Sequence, residues 1–581
     1  MLIPSIALAV LAAATVHSHR PESDRLIKEV PALPIGLYRH LRAAEARQAD
    51  QDRPYSSSSY DSGHQIPFSS ASSSTKFAPH EFDQLVSHDP NVPGPFARDA
   101  SSGQVVPATF KQRYWFDASF YREGGPVYLL DAGETNAEGR LPFLESGILK
   151  ILSEATGGIG IVFEHRYYGE SFPVANLTTD SYRFLTTLQS IQDSNHFAET
   201  VVLPGLKHVD LSPKKTPWIR YGGSYAGATS ALARKLYPDV WWGSLASSAV
   251  TTAIVDFWEY YVPIQEHAPR DCIEQLQNHT AAIDSILAIN NSFLTSSLKS
   301  YFGLANVTSD VDFVNALTVP LGSWQARNWD PSVGSKTFER FCESLTGNST
   351  TSLALPINLE LLPQWPSNPR KQLAAFSNYA AYIKEHVAAK CPEGVAQDEC
   401  FGTDLYEGDG LEEAPWKSWA YQFCTEWGYF IGAPPLGHDS IVSRLITPEY
   451  TGQICSKAFP RGDLNAVPPT PNVTEINQHG SFALEFPRLA FIDGSADPWI
   501  GATPHSPRAK SRKDTLKKPF KLIPEGVHHW DENGLLERER EPREIQQIHA
   551  DEIKFVKSWL KEWRRRGKWK MDRSPQWDKD V

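Results

Sequence analysis

Basic residues are in deficit: 56 Lys and Arg against 68 Asp and Glu leave a formal net charge of −12 over 581 residues. No long basic block offsets that balance, which argues against a nucleic-acid partner because like charge repels a phosphate backbone. Beyond residue 18 there is no run of about 18 uninterrupted apolar residues, so no transmembrane helix is expected. The chain has no CxxC pair and no HExxH, and its His and acidic residues lack ligand spacing. No metal and no cofactor are therefore expected. Cysteine is scarce, with six in all, and no internal repeat is visible. What is present is ordinary globular material, 41% hydrophobic, 21% charged and 11% aromatic, which rules out wholesale disorder, collagen-like repeats and a coiled coil.

The segment from Met1 to Ser18 is an apolar run ending in small residues and followed at once by His19 and Arg20. It reads as a secretory signal peptide cut after Ser18, leaving a product with no membrane attachment. Six Asn-x-Ser/Thr sequons, at Asn176, Asn278, Asn290, Asn306, Asn348 and Asn472, become glycosylation acceptors on that route. An even number of cysteines suits an oxidising compartment, either secreted or vacuolar/lysosomal.

Residues 19–80 are poor in apolar periodicity, and Ser56 to Thr75 holds ten serines in twenty residues. Such a stretch buries too little to offset its ordering entropy, so it reads as a disordered linker or pro-segment. From Phe82 a globular pattern takes over. Short apolar runs at Pro126–Leu130, Gly160–Phe163 and Trp218–Tyr221 alternate with helical stretches, the cadence of a parallel sheet in an α/β fold. Two more strands are expected at Arg488–Ile492 and Phe520–Ile523, then an amphipathic helix from about Arg543 to Trp563 and a polar tail, 567–581. Between these blocks, 254–460 reads as mostly helical and contains all six cysteines, as expected of an insertion stapled by disulfides. The sheet-forming parts are then 81–253 and 461–566.

The most informative residues are Tyr221-Gly222-Gly223-Ser224-Tyr225-Ala226-Gly227, where a strand gives way to a helix. So sharp a turn strains the serine backbone and demands small neighbours two residues away, which Gly222 and Ala226 supply, Ala226 standing where glycine is usual. The turn exposes the Ser224 hydroxyl and aims the Tyr225 N–H at a helix N-terminus toward a developing oxyanion. A serine needs a base, and an acid to orient the base. After Leu489–Ile492 come Asp493 and Asp497, and after Phe520–Ile523 come His528 and His529, each pair just beyond a strand. The residues alone leave Asp497 and Asp493 in competition, and allow only one of the two histidines to face the serine.

With these motifs in view, the chain resembles the serine peptidase family of lysosomal Pro-X carboxypeptidase, dipeptidyl peptidase II and thymus-specific serine protease. The matching segments are Thr109-Phe110-Lys111-Gln112-Arg113-Tyr114, Glu164 to Ser171, Gly222 to Tyr225, Cys424-Thr425-Glu426, Asp497-Pro498-Trp499 and Gly526 to His529. The resemblance implies an α/β-hydrolase core with a helical, disulfide-stapled cap inserted over the site, and cleavage of proline-containing peptides after proline by a Ser-His-Asp acyl-enzyme mechanism. It makes Ser224 the nucleophile, Asp497 the acid, His528 the base and His529 its supporting neighbour. Asn533 stands where better-known members have an arginine beyond the histidines, and Gly432 where they have a cysteine. The pairing Cys424 with Cys455 is implied by the family; Cys272 with Cys342 and Cys391 with Cys400 complete the set.

Further roles rest on placement. The loop after Pro126–Leu130 sits where such folds place the second oxyanion amide, so Gly133 and Glu134 are candidates beside Tyr225; Glu134 is otherwise an ion-pair residue or faces a substrate amine. Trp499 offers either a flat wall for a proline ring or a core aromatic. Glu164-His165-Arg166 reads as a structural charge cluster. The competing functions are a secreted carboxylester hydrolase on the same fold and a catalytically silent binding protein. Carboxypeptidase, dipeptidyl peptidase and internal cleavage are all compatible with the sequence, as are monomer and homodimer.

Overall fold

The computed structural model describes residues 37, 39–40, 76–92, 94–98, 104–347, 369–403 and 408–571, without the side chains of 369–371 and 567–571. The leader 1–18, most of 19–80, Asn348 and residues 572–581 lie outside the described residues.

The described residues form twelve strands: β1 (His80–Leu85), β2 (Phe96–Arg98), β3 (Val105–Pro107), β4 (Thr109–Asp117), β5 (Val127–Asp131), β6 (Ile159–Phe163), β7 (Trp218–Gly223), β8 (Trp241–Ser247), β9 (Ile254–Asp256), β10 (Gly428–Phe430), β11 (Leu489–Gly494) and β12 (Phe520–Ile523). Eight of them make one sheet in the order β1-β4-β6-β5-β7-β8-β11-β12. β1 and β4 pair antiparallel, as do β4 and β6, and every pair from β6 to β12 is parallel. This is an α/β-hydrolase core. Every residue of β5, β6, β7, β8 and β11 is buried, which is why those strands read as continuous apolar runs and not as alternating ones.

Successive side chains feed opposite layers. Tyr128, Leu130, Ile219 and Tyr221 pack with Leu149 and Leu152 of helix Ile148–Thr156 and with Ile545, Phe555 and Trp559 of helix Arg543–Met571. Val127, Leu129, Ile161 and Trp218 pack on the other face with Ile191 and Phe197 of helix Thr187–Thr200 and with Ala231 and Leu232 of helix Ser224–Leu236. The last helix runs past Trp563 to Met571 and so takes in the first residues of the expected tail. Its Arg- and Lys-rich continuation meets no proline before Pro575.

The block 254–460 is mostly helical, but β9 and β10 pair parallel within it and join the chain entering the insertion to the chain leaving it. Gly428 allows that approach: at φ +77°, a Cβ there would lie 2.4 Å from the carbonyl oxygen of Ile254. Disulfides join Cys272 to Cys342, Cys391 to Cys400 and Cys424 to Cys455. Within 19–80, read above as a linker, Leu37 is helical and buried in the insertion's core, and Arg39 pairs with Glu413 at 2.9 Å. A single apolar residue at Leu37 offers no periodicity to find in the sequence. Asn176, Asn290, Asn306 and Asn472 are exposed and Asn278 is half-buried. No described helix is long and apolar enough to cross a membrane.

Candidate active site

Ser224 opens helix Ser224–Leu236 directly after β7, at φ 58°, a left-handed conformation that an L-residue keeps only under constraint. The constraint is close packing on both sides. A Cβ on Gly222 would lie 2.2 Å from the Ala226 carbonyl oxygen, and one on Gly223 would lie 2.3 Å from Glu532 Oε1 and 3.2 Å from His529 Cγ. The elbow therefore abuts the histidine loop after β12. Ala226 fits because its methyl meets Gly133, where a Cβ would come to 3.2 Å.

His528 and Asp497, 31 residues apart in sequence, meet above the ends of β11 and β12. His528 Nδ1 lies 3.0 and 2.9 Å from the two Asp497 carboxylate oxygens, and both residues are buried. His528 Nε2 is buried and has no hydrogen-bond partner among the described residues. Burial holds the His528 imidazole below its ordinary value, against the pull of Asp497. Burial alone would raise Asp497; His528, Ser248 and the Trp499 N–H, which donates to Oδ1 at 2.9 Å, bring it below the ordinary carboxylate range. Asp493, the rival acid, turns the other way and takes His505 Nδ1 at 2.6 Å. Two aspartates four residues apart around the end of a strand thus serve different histidines.

His529 stands behind the base, ring centroids 4.4 Å apart, with φ 38°. Its backbone N–H donates to Ser248 Oγ at 2.8 Å, and its Nδ1 lies 2.8 Å from Glu532. Burial would lower His529, but Glu532 holds it above its ordinary value. Arg140 approaches Glu532 at 3.9 Å, the only arginine among the described residues that an ion pair brings to this acid; Asn533 cannot supply that charge.

The oxyanion candidates separate. The Gly133 N–H donates to Asp131 Oδ1 at 3.1 Å and is already used. Tyr225 lies in the first turn of its helix, where amides lack intrahelical acceptors. Glu134 is half-buried in the same loop as Gly133; burial raises its carboxyl, with Arg140 and His529 acting against the rise. Behind the elbow, Arg113 grips Glu164 through two bonds of 2.8 Å, Arg166 grips Asp193 through two of 2.6 Å, and His165 Nε2 meets the Tyr225 hydroxyl at 3.1 Å. The cluster at 164–166 braces the elbow helix from below.

Trp499 packs among the aromatic rings beside His528. Its ring stacks on Phe257 at 5.4 Å, meets Tyr429 at 5.1 Å and Tyr260 at 5.5 Å, and lies 6.5 Å from the His528 ring. Its Nε1 donates to Gln325 Oε1 at 2.7 Å. Sequence reasoning missed the partner segment. Trp324 Nε1 donates to the Ala496 carbonyl at 2.8 Å, Trp329 Nε1 to the Trp530 carbonyl at 2.9 Å, and Trp530 Nε1 back to the Arg327 carbonyl at 2.9 Å. Three indoles thus clamp the insertion onto both the acid loop and the histidine loop. Ser248 was missed as well; it follows β8 at φ 43°, its Oγ accepts the His529 N–H, and it helps to lower Asp497. A non-glycine residue forced left-handed at a strand end is recognisable only once the strand is placed.

Among the described residues no cluster of His, Cys, Asp or Glu is arranged to hold a metal ion. The arrangement is a buried acid-imidazole pair with a free nitrogen, beside a strained serine at a helix N-terminus, roofed by aromatic rings.

Comparison with known proteins adds four findings. The family model described as serine carboxypeptidase S28 matches residues 104–548. A "Probable extracellular serine carboxypeptidase" of Arthroderma benhamiae is 40% identical over 471 residues, 78% of this chain and 64% of that relative. "Serine protease vicPa" of Bipolaris victoriae is 26% identical over 78% of this chain and 85% of its own length, and the mouse "Thymus-specific serine protease" 24% over 73% and 79%.

Proposed function

The chain belongs to the serine carboxypeptidase S28 family, and from that premise we propose that it is a secreted serine carboxypeptidase that cleaves peptides after proline through a Ser224-His528-Asp497 acyl-enzyme mechanism. The observation that carries the reading is the His528 ring, tied to Asp497 by one nitrogen and holding the other buried and unpartnered, on a loop packed against the turn that presents Ser224.

His528 Nε2 takes the Ser224 proton as Oγ attacks the carbonyl carbon, and Asp497 stabilises the imidazolium. The tetrahedral oxyanion is held by the Tyr225 and Glu134 backbone N–H groups. Collapse expels the leaving amine, which takes the proton back from His528. Water, activated by the same nitrogen, then releases the acyl group and restores the serine. The half-exposed face of Trp499, 6.5 Å from the base, supports a proline ring at the residue that is acylated. Extracellular export agrees with the apolar leader and with exposed sequons, and with the name of the Arthroderma relative.

Three peptides test the reading: one ending in a single residue after proline, one with a free N-terminus and proline second, and one blocked at both ends. The first is expected to lose its terminal residue, and changing its proline to alanine to lower kcat/KM at least about tenfold. Equal cleavage of the alanine peptide would remove the proline preference, and cleavage of the second peptide alone would replace the carboxypeptidase with a dipeptidyl peptidase.

A further inference from the structure

The C-terminal helix Arg543–Met571 lays an apolar stripe on the sheet through Ile545, Ile548, Phe555, Val556 and Trp559. Glu552 stands in the middle of that stripe. It is fully buried, and neither carboxyl oxygen has a hydrogen-bond partner among the described residues. The charges it feels are those of Asp531, Asp551 and Glu532, all of its own sign. Two of these are answered elsewhere, Asp551 by Lys521 at 2.8 Å and Glu532 by His529 at 2.8 Å and Arg140 at 3.9 Å. Asp531 is not: it is fully buried, accepts from the Tyr221 and Ser247 hydroxyls at 2.5 Å each, and feels the like charge of Glu532.

Those two hydroxyl bonds anchor the loop that carries the base. Asp531 lies three residues after His528, Tyr221 belongs to β7 just before the elbow, and Ser247 ends β8. His549, one helical turn before Glu552, also bonds the Asp531 carbonyl at 3.1 Å and pairs with Glu541 at 3.0 Å. The histidine loop is therefore seated on a buried carboxyl pair, Asp531 and Glu552, that no cation neutralises among the described residues.

We propose that Asp531 and Glu552 form a proton lock beneath the histidine loop: the loop holds His528 in its working position while the pair keeps a proton, and disengages when rising pH removes it. The inference rests on the reading of His528 as the base only for its effect on turnover; its effect on stability needs no assigned activity. Glu552 is buried without a partner on the helix whose His549, one turn earlier, bonds the Asp531 carbonyl, and it feels the Asp531 charge; two carboxyls coupled in so dry a place resist ionising together, and the pair titrates as a unit. Burial pushes Asp531 up to about 6 and Glu552 well above its ordinary value. A carboxyl raised in the folded chain lends stability in full below its unfolded value and loses it as pH rises through the folded one. The lock is thus closed in acid and opens from about pH 6 upward. Burial also favours the unprotonated form of His528, against the pull of Asp497.

The test follows the thermal midpoint and the rate of active-site labelling by a fluorophosphonate from pH 4.5 to 8.5 in the full chain, in Glu552→Gln and in Asp531→Asn. The wild type is expected to lose stability steadily above about pH 6. Glu552→Gln should match it within about twofold at pH 5, carry its alkaline limb at least about one pH unit higher, and label about tenfold faster at pH 8. Asp531→Asn removes the other carboxyl, keeps one carbonyl acceptor and turns an N–H donor to the other of the Tyr221 and Ser247 hydroxyls, which can accept it, and gives the same flattening should Glu552→Gln fail to fold. A wild-type midpoint flat across the range, or variants that follow the wild-type slope, overturns the lock. A chain that flattens as expected yet labels at no pH retains the lock and loses the peptidase reading.

Discussion

The sheet and the insertion are held together by different means, and the difference separates chemistry from selection. The sheet has no disulfide. Its five central strands are buried along their whole length, and charge pairs join β7 to β5 through Arg220 and Asp131 and the loop after β6 to helix Thr187–Thr200 through Arg166 and Asp193. The insertion contains all three disulfides, and its core holds an aromatic cluster with Phe302, Phe313, Phe341, Phe376 and Tyr379 in contact. Under the proposed mechanism, strand ends fix Ser224, Asp497 and His528 where small errors of position are costly. The insertion supplies the indole clamp.

Ser224→Ala should separate the two regions most sharply, lowering kcat by on the order of 10^4- to 10^6-fold while peptide affinity is preserved, since the aromatic wall is untouched; isothermal titration beside steady-state rates reads both. If binding fell with turnover, the division would be false. Stability should show the reverse pattern. Replacing Cys272 and Cys342 by serine opens a loop with a separation of 70 residues and should cost about 4 kcal/mol, against about 2.5 kcal/mol for Cys391 and Cys400, by chain-entropy reasoning. Denaturant unfolding checks the ranking, and equal losses would place the strain elsewhere.

The clamp is where the two regions meet. Trp324→Phe leaves the Ala496 carbonyl without its donor next to the acid and should cost about 1–3 kcal/mol, seen as a roughly tenfold loss in kcat with a smaller change in KM. A change confined to KM would make the insertion a wall alone. The smallest expected effect is the acid limb of kcat/KM. Because the base must be unprotonated and burial lowers His528, activity should rise with pH through a midpoint below the ordinary histidine value of about 6.5; a midpoint above it contradicts the burial argument.

How much of this was legible in the sequence follows the same boundary. The elbow could be read because Gly222, Ser224 and Ala226 act within one turn of chain, and the acid and histidine loops because each follows a short apolar strand. The choice between Asp493 and Asp497 could not be made from local pattern, since it depends on which side of β11 each residue leaves. Gly133 was named for its position, but its amide is taken by a side chain two residues earlier. The indole clamp joins residues some 170 to 200 positions apart, and nothing local marks Trp324 as different from any core tryptophan. Glu552 carried a signal that went unread, a carboxyl at an apolar position of an amphipathic helix.

The central claim is that Ser224, His528 and Asp497 act as one unit, and mapping a fluorophosphonate adduct by peptide mass tests it most directly. The account predicts a single adduct on Ser224 in the folded wild type and loss of labelling in His528→Ala under the same conditions. An adduct on another residue, or no adduct while a control serine hydrolase labels normally, would contradict it.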